Sequence, residues 1–495
     1  MKNKIILTAA ALLFLASSGM FAATLYVGAA GTPGGSYYTE IQAAVDAATP
    51  GDLILVSNGV YNTGGGFETG STTKSRVLCA IAIEIRSVDG PESTFILGEP
   101  DPGTGGNGPA AVRGVCLPWN SGATISGFTI TNGFTRTDGD SNREQGAGGA
   151  RVRLASVITN CVIIGNYAYG RGGGLGLQAG KAYDCQIINN RAEVNTGGGV
   201  FAQDSGGIVP LMNNCVISGN TAYNGGGANG GGIYVYNNAA IYNSTISGNS
   251  CGLDANTGKG GGIFILRNAD IQDCTISGNT AHLWGGGICV EDTAHGTGGI
   301  VRRCKIQNNT TETHGGAGAM LYNAGEIHDS LIYQNHAATH AGGVYYVDGG
   351  KVVNCTIVSN VADANAGGVV IGSGTSAIEN SIVLDNTSSD PNTPNWSKGP
   401  GGTSLYTCTL PTAMQGVGNL ATNAYFADAA AGDFNLTAGS PCINAGDNAY
   451  ASSYDLDGKA RIVGGTVDMG CYEFVPEPAT FGLLAILGLA ILRKK

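Results

Sequence analysis

The chain has 495 residues, a formal net charge of −11, only 12% charged residues and 83 glycines. Charge this sparse excludes a charge-driven disordered chain, and the acidic balance argues against a nucleic-acid binder, which needs a basic stripe. The same balance weighs against, without excluding, a lyase for acidic polysaccharides, since no long basic run occurs.

At the N-terminus, Lys2 and Lys4 precede an apolar run from Ile5 to Leu15 and small residues up to Ala22 and Ala23. This is the layout of a secretory signal peptide over residues 1–23, and the run is too short for a stable span of about 20 residues. Residues 24–120 follow as an N-terminal cap and irregular first coils. Thr39 to Ala48 predicts a short helix with Ile41, Ala44, Val45 and Ala48 on one face and Thr39 as its cap. Such a helix covers a sheet edge whose unpaired backbone would otherwise recruit other chains. Strands are predicted over 52–56, 81–85 and 94–97.

From 121 to 390 the chain repeats itself. Residues 121–133 form a degenerate copy, with Phe128 and Ile130 in the key positions. Nine regular copies then place Cys or Ser, an apolar residue two later, and Asn five later, beginning at Cys161, Cys185, Cys215, Ser244, Cys274, Cys304, Ser330, Cys355 and Ser381. Successive copies start 24 to 30 residues apart. Self-similarity at this period predicts a solenoid. A second strand is expected after each glycine pair, as at Gly173-Gly174-Leu175 and Gly261-Gly262-Ile263. The nine asparagines, Asn166, Asn190, Asn220, Asn249, Asn279, Asn309, Asn335, Asn360 and Asn386, predict an amide ladder along the axis. The fold class expected is all-β: a right-handed parallel β-helix with an N-terminal capping helix and a C-terminal capping segment. A position that accepts Ser does not require a disulfide, so the repeat cysteines are expected as a buried ladder of small side chains.

The pairing of glycine-pair strands with the Ile-x-x-Asn phrase resembles two families. One is the pectate-lyase-like β-helix superfamily; the other is the polymorphic outer-membrane adhesins, whose repeats carry Phe where this chain has Ile. These resemblances imply polysaccharide work or adhesion. Within the first, neither a Gly-His-Gly segment nor an Arg-Ile-Lys triplet of the pectin enzymes occurs here.

Between each Asn and the glycine pair lies a loop, and stacking would bring these loops to one edge. They carry Tyr167, Tyr169, Tyr223, His282, Trp284, His314 and His340, the candidate ligand-binding residues, in company with Arg191, Glu312 and His336. Aromatic and polar groups along a rod edge suit an extended glycan, whereas ordinary solvated turns and an acid/base histidine site are the alternatives. No catalytic residue and no metal site is assigned.

Residues 391–474 read as a linker and C-terminal cap, similar to the terminal segment of surface-anchored bacterial β-helices. Cys442 and Cys471 are a candidate disulfide there. Asp455 and Asp457 look like half a calcium loop without its downstream Glu, so calcium is a weak expectation and a solvated turn the stronger one. Last, Val475-Pro476-Glu477-Pro478, an apolar stretch from Phe481 to Leu492 and Arg493-Lys494-Lys495 resemble the PEP-CTERM sorting signal of Gram-negative bacteria. That resemblance implies a short membrane helix, an exosortase partner that removes the tail, and a final place at the cell surface or in the extracellular matrix. The function expected is therefore adhesion or glycan binding at the envelope. The alternatives are a polysaccharide lyase or hydrolase on the same scaffold, or a structural matrix component.

Overall fold

The computed structural model describes residues 22–28, 36–223, 227–252, 257–291 and 298–476. Residues 1–21 of the expected signal peptide and the expected sorting tail beyond Pro476 lie outside the described residues. Among the described residues no helix is long and apolar enough to cross a membrane.

Each coil of the regular region makes four strands in order. The coil that begins at Val157 is typical. Val157–Thr159 belongs to sheet I, Val162–Ile164 to sheet II, Tyr167–Ala168 to sheet III and Leu175–Gln178 to sheet IV. Among the described residues the four sheets hold 15, 14, 9 and 13 strands. In the regular region each strand pairs in parallel with its copy one coil on: Ile163 faces Ile187, which faces Ile217 and then Ile246. Stacking identical positions puts like side chains in columns. Ile163, Ile187, Ile217, Ile246, Ile276, Ile306, Ile332 and Ile357 are fully buried in one continuous core. The result is a right-handed parallel β-helix.

The corners explain the repeat phrase. A left-handed residue precedes each Cys or Ser, from Asn160 and Asp184 to Arg303 and Asn380, and another precedes each ladder Asn, from Gly165 and Asn189 to Gln334 and Asp385. Asn, Asp and Gly tolerate this conformation most cheaply. The glycine pairs have a different cause. A Cβ on Gly174 would sit 2.7 Å from the Asn190 amide nitrogen and 3.0 Å from the Gly199 carbonyl oxygen. The positive φ falls on the residue before the pair, such as Gly172.

Each ladder amide nitrogen donates to the next asparagine's Oδ1, at 3.0 Å from Asn166 to Asn190 and 2.9 Å from Asn309 to Asn335. It also donates to a core carbonyl of the preceding coil, as Asn279 does to Ile246 at 3.0 Å. Asn220, Asn249, Asn335, Asn360 and Asn386 repeat this geometry. The ladder runs one rung past the phrase: Asn386 donates to Asn395, and Asn395 donates to the Leu410 carbonyl at 2.8 Å.

The thirteen cysteines are buried free thiols. Cys185 Sγ donates to the Tyr183 carbonyl and Ser244 Oγ to the Tyr242 carbonyl, two residues back in each case, which is why the position accepts both.

At the N-terminal end, helix α1 (Ile41–Ala47) is shorter than expected. Its N-cap residue is Glu40 rather than Thr39, without a side-chain cap bond, and Ala48 lies beyond its last turn. Gln42 is buried because its amide donates to the Leu78 carbonyl at 3.0 Å and accepts from the Leu78 N–H at 2.7 Å, docking the helix on sheet IV. The strand expected at 81–85 is Glu84–Ser87 instead.

The C-terminal segment does more than close the end. In the middle coils the outward positions of sheet II are polar: Thr245 and Ser247, Thr275 and Ser277, Lys305 and Gln307. In the last coils they become Leu331, Val358, Ile382 and Leu384, all buried beneath Phe434, Leu436, Met469 and Tyr472. The segment therefore packs on the flank of the solenoid. Buried Arg461 joins it there to Asp329 at 3.7 Å, and the Cys471 N–H donates to Thr356 Oγ1 at 3.1 Å.

The expected Cys442–Cys471 disulfide is not present: the two residues share the flank cluster as free, buried thiols. Asp455 is a turn clamp: its carboxylate accepts from the N–H groups of Asp457, Lys459 and Glu473 at 2.7 to 3.0 Å. Asp457 lies 3.6 Å from Lys459. Among the described residues no group of three or more His, Cys, Asp or Glu is placed to hold a metal ion.

Candidate functional site

The expected edge residues divide into two groups. Tyr167 is exposed and stacks on Phe134, with centroids 5.1 Å apart. Tyr169 is half-buried, its N–H donating to Thr135 Oγ1 at 2.8 Å. Tyr223 lies under the Arg191 guanidinium at 3.6 Å. Further along, the loops fold onto the outer face of sheet IV. There Trp284 meets His314 at 4.6 Å and Tyr345 at 5.1 Å, and His340 reaches Tyr345 at 6.4 Å. His282 pairs with Glu312 at 3.0 Å. Burial, then the neighbouring His282 and His340, push the His314 pKa down. These residues join an outward stripe of Phe201, Tyr234, Phe264, Cys289 and Met320, much of it buried. Trp284 is thus partly a packing residue, which its loop position did not disclose.

A second site lies on the same sheet face nearer the N-terminus, and the repeat pattern gave no hint of it. Parallel register places Cys116 opposite Arg151 and Arg153 opposite Gln178. Alternation along Ala150–Arg153 sends Val152 into the core and both arginines outward. A loop through Glu68 and another through Asp140, Asn142 and Arg143 wall them in. Together with Thr69, Trp119 and Gln178 these residues line a cleft of about 410 Å³. Trp119 also lines an adjoining cleft of about 260 Å³ with Phe67 and Pro118.

The cleft's electrostatics run against those of the chain. Glu68 pairs with both Arg151 and Arg153, at 3.2 Å to the latter. Arg143 pairs with Glu144 at 2.9 Å. Behind them Arg113, 1% exposed, donates to the carbonyls of Ala147, Arg143 and Gly146. Four arginines therefore face three carboxylates, Glu68, Asp140 and Glu144. Burial lowers the Arg113 pKa to about 10, and burial with the Arg151 charge lowers that of Arg153 to about 10. Burial raises the Asp140 carboxyl, but the N–H groups of Arg143 and Asn142 with nearby arginine charge outweigh it and hold the group below its ordinary value. Arg151 Nε, Arg153 Nε and Gln178 Oε1 are buried without a hydrogen-bond partner. Buried polar atoms are seldom left so, and three in one cleft mark a place where polar ligand groups would be stabilised.

The fold and these two outward-facing sites define a right-handed parallel β-helix with a basic, aromatic-walled cleft. A family model described as right handed beta helix region matches residues 228–392. No curated protein matches the chain. Among solved structures it is similar to pectate lyase Pel9A, at 14% identity over 92% of this chain and 98% of that one, with a TM-score of 0.34. It is also similar to XylC in complex with xylose, at 9% identity, 78% and 83% coverage and a TM-score of 0.39. A third is the A-module of the Azotobacter vinelandii mannuronan C-5 epimerase AlgE6, at 13% identity, 75% and 94% coverage and a TM-score of 0.30.

Proposed function

We propose that this protein is an exported β-helix that binds an acidic polysaccharide at the cell envelope, and that the Trp119–Arg153 cleft is its anchoring subsite. The observation that carries the reading is the set of orphaned buried polar atoms on Arg151, Arg153 and Gln178, beside an accessible indole in a region of excess positive charge. Sugar carboxylates match arginine forks, and sugar ring faces match Trp119. Export is supported by the leader at Lys2 to Ala23, and surface sorting by an exosortase by the tail that begins Val475-Pro476-Glu477-Pro478. Adhesion follows from binding without turnover. Glu68 is tied to two arginines, and the N–H groups of Arg143 and Asn142 with nearby arginine charge hold the Asp140 carboxyl below its ordinary range, which favours binding over proton donation from Asp140.

The test is incubation of the purified protein with polygalacturonate, alginate, xylan and dextran. Retention, new reducing ends and ultraviolet-absorbing unsaturated products are read together. Salt-sensitive retention on the acidic polymers without product is expected. Product would make the protein a lyase or hydrolase on the same scaffold, and silence across the panel would make it a structural matrix component.

A further inference from the structure

The outward face of sheet IV changes its chemistry over three successive coils near the N-terminus. Strands Lys74–Leu78, Val112–Leu117 and Ala150–Arg153 pair in parallel, with Leu78 opposite Cys116 and Cys116 opposite Arg151. Val77, Val115 and Val152 enter the core, so Leu78, Cys116 and Arg151 form one outward column. Two residues further along each coil stand Ala80, Pro118 and Arg153. An apolar end thus passes into a cationic end at about 4.8 Å per coil. We propose that this face selects an acidic polysaccharide carrying O-acyl groups: a uronate carboxylate meets Arg151 and Arg153, and an acetyl group enters the apolar cleft beside Trp119. The inference rests on the glycan-binding reading above and adds a substituent to it.

Two clefts meet at the Trp119 indole. The basic one takes in Arg143, Arg151, Arg153 and Gln178, and the smaller one Phe67, Leu78, Ala80 and Pro118, with Glu68, Thr69 and Trp119 common to both. The smaller cleft holds no cation, and its single charged group, Glu68, is paired with Arg151 and Arg153. A second carboxylate there would face the Glu68 carboxylate without a partner of its own, a costly arrangement in a partly buried place. A bare sugar hydroxyl would exchange water for carbon walls. An acetyl methyl instead takes apolar surface out of water on both sides, and Thr69 is the one hydroxyl at the junction to meet its carbonyl.

The exposure of the aromatic walls points the same way. Phe67 is 58% exposed and Trp119 38%, and neither belongs to a buried core cluster. Phe67 is held at the cleft by its strand, Gly66–Phe67, which pairs antiparallel with Ser75 and Lys74. Large rings left open on one cleft are uncommon on a protein surface unless something covers them. The coil step also sets the spacing, since the apolar positions lie one or two coils from the arginines, about 5–10 Å. That range spans a pyranose ring from its carboxylate to an acylated ring oxygen, or one glycosidic bond to the next sugar.

Alginate acetylated with acetic anhydride is compared with a portion of the same preparation deacetylated in mild alkali, so that backbone and carboxylates are shared. Binding of the full chain to each polymer is measured by isothermal titration in one buffer. The acetylated polymer is expected to bind about tenfold more tightly, the gain typical of a small apolar group in a fitted pocket. Phe67→Ala, which removes a wall, and Ala80→Leu, which fills the cleft, should each bring the ratio of the two affinities towards one. Both positions are exposed, so neither change burdens the fold. Arg153→Gln should weaken both polymers and keep the ratio. Equal affinities in the natural protein, or a ratio that survives either cleft substitution, would overturn the inference and leave the glycan reading in place. Binding to neither polymer would overturn both, so the two failures are told apart.

Discussion

Arg153 lies over the indole of Trp119, its guanidinium carbon 4.1 Å from the ring centroid. Trp119 follows the sheet IV strand Val112–Leu117, and Arg153 ends the strand one coil on, so the pair exists only because those coils stack in register. The stacking holds a long cation flat at a cleft wall, with Glu68 fixing its far side. Fixing a rotamer-rich side chain before binding reduces the entropy lost when a ligand arrives.

Arg153→Gln and Trp119→Ala should each weaken retention of polygalacturonate by about tenfold or more, equivalent to about 1.4 kcal/mol. The melting temperature should move little, because Glu68 keeps Arg151 as a partner in both variants. Isothermal titration at two salt concentrations checks this, and the arginine variant should also show the shallower salt dependence. Unchanged affinity in both variants would remove the cleft from the binding surface.

The ladder makes a sharper energetic demand. Asn279 Oδ1 accepts from both the Asn249 N–H and the Asn249 side-chain amide, while its own amide donates to Ile246 and Asn309. In Asn279→Ala these buried groups lose their partners, and each buried orphan costs about 1–3 kcal/mol. The urea midpoint should fall markedly, whereas Lys305→Ala, on the exposed face of sheet II, should leave it nearly unchanged. Equal midpoints in the two variants would show that the ladder adds little to stability.

The solenoid was legible because its cause is local and repeated. A core Ile, a small residue at a corner and an Asn whose amide joins the coils recur at fixed offsets, and each column of like residues is one physical contact multiplied. The basic cleft had no such signature. Glu68, Trp119, Asp140 and Arg151 come from irregular coils and loops far apart in the chain, and only register brings them together. One signal was available: Arg151-Val152-Arg153 puts two cations on the outward face of a strand whose later copies present Phe201, Tyr234 and Phe264. The position of the C-terminal segment was also written in the outward positions of sheet II, where Thr275 and Ser277 give way to Ile382 and Leu384. That change is visible only when the outward residues are read down the columns.

The apolar flank carries its own prediction. Leu384 is 1% exposed beneath the C-terminal segment, so Leu384→Ala should cost about 2–5 kcal/mol at that interface. The loss should be local, since Leu384 points away from the main core. Limited proteolysis is expected to release fragments cut within 424–474 while the coils before Ser330 stay intact. Cleavage spread evenly along the solenoid would mean that the flank and the coils unfold together.

The same segment should make stability depend on pH. Glu473 is 1% exposed, and its carboxylate accepts from the N–H groups of Val463 and Asp468 at 2.9 and 3.1 Å. Burial is the dominant influence and raises its pKa from 4.5 to about 7, despite those bonds and the Arg461 charge. Burial also raises Asp468, whose N–H donates to Glu473, and Asp329, which lies 3.7 Å from Arg461. Between the unfolded value and about 7, the folded chain therefore keeps a proton that the unfolded chain has lost. Stability then falls as pH rises through that window and levels off above it, at roughly 1.4 kcal/mol for each unit of pKa difference. Melting temperatures measured from pH 4.5 to 8 should decline more steeply in the natural protein than in Glu473→Gln, which has no proton to lose there. The difference between the two curves isolates this group from every other titrating side chain. If the difference instead grew in favour of the natural protein as pH rose, Arg461 would be holding Glu473 ionised, and the flank would be an ion-paired interface rather than a protonated one.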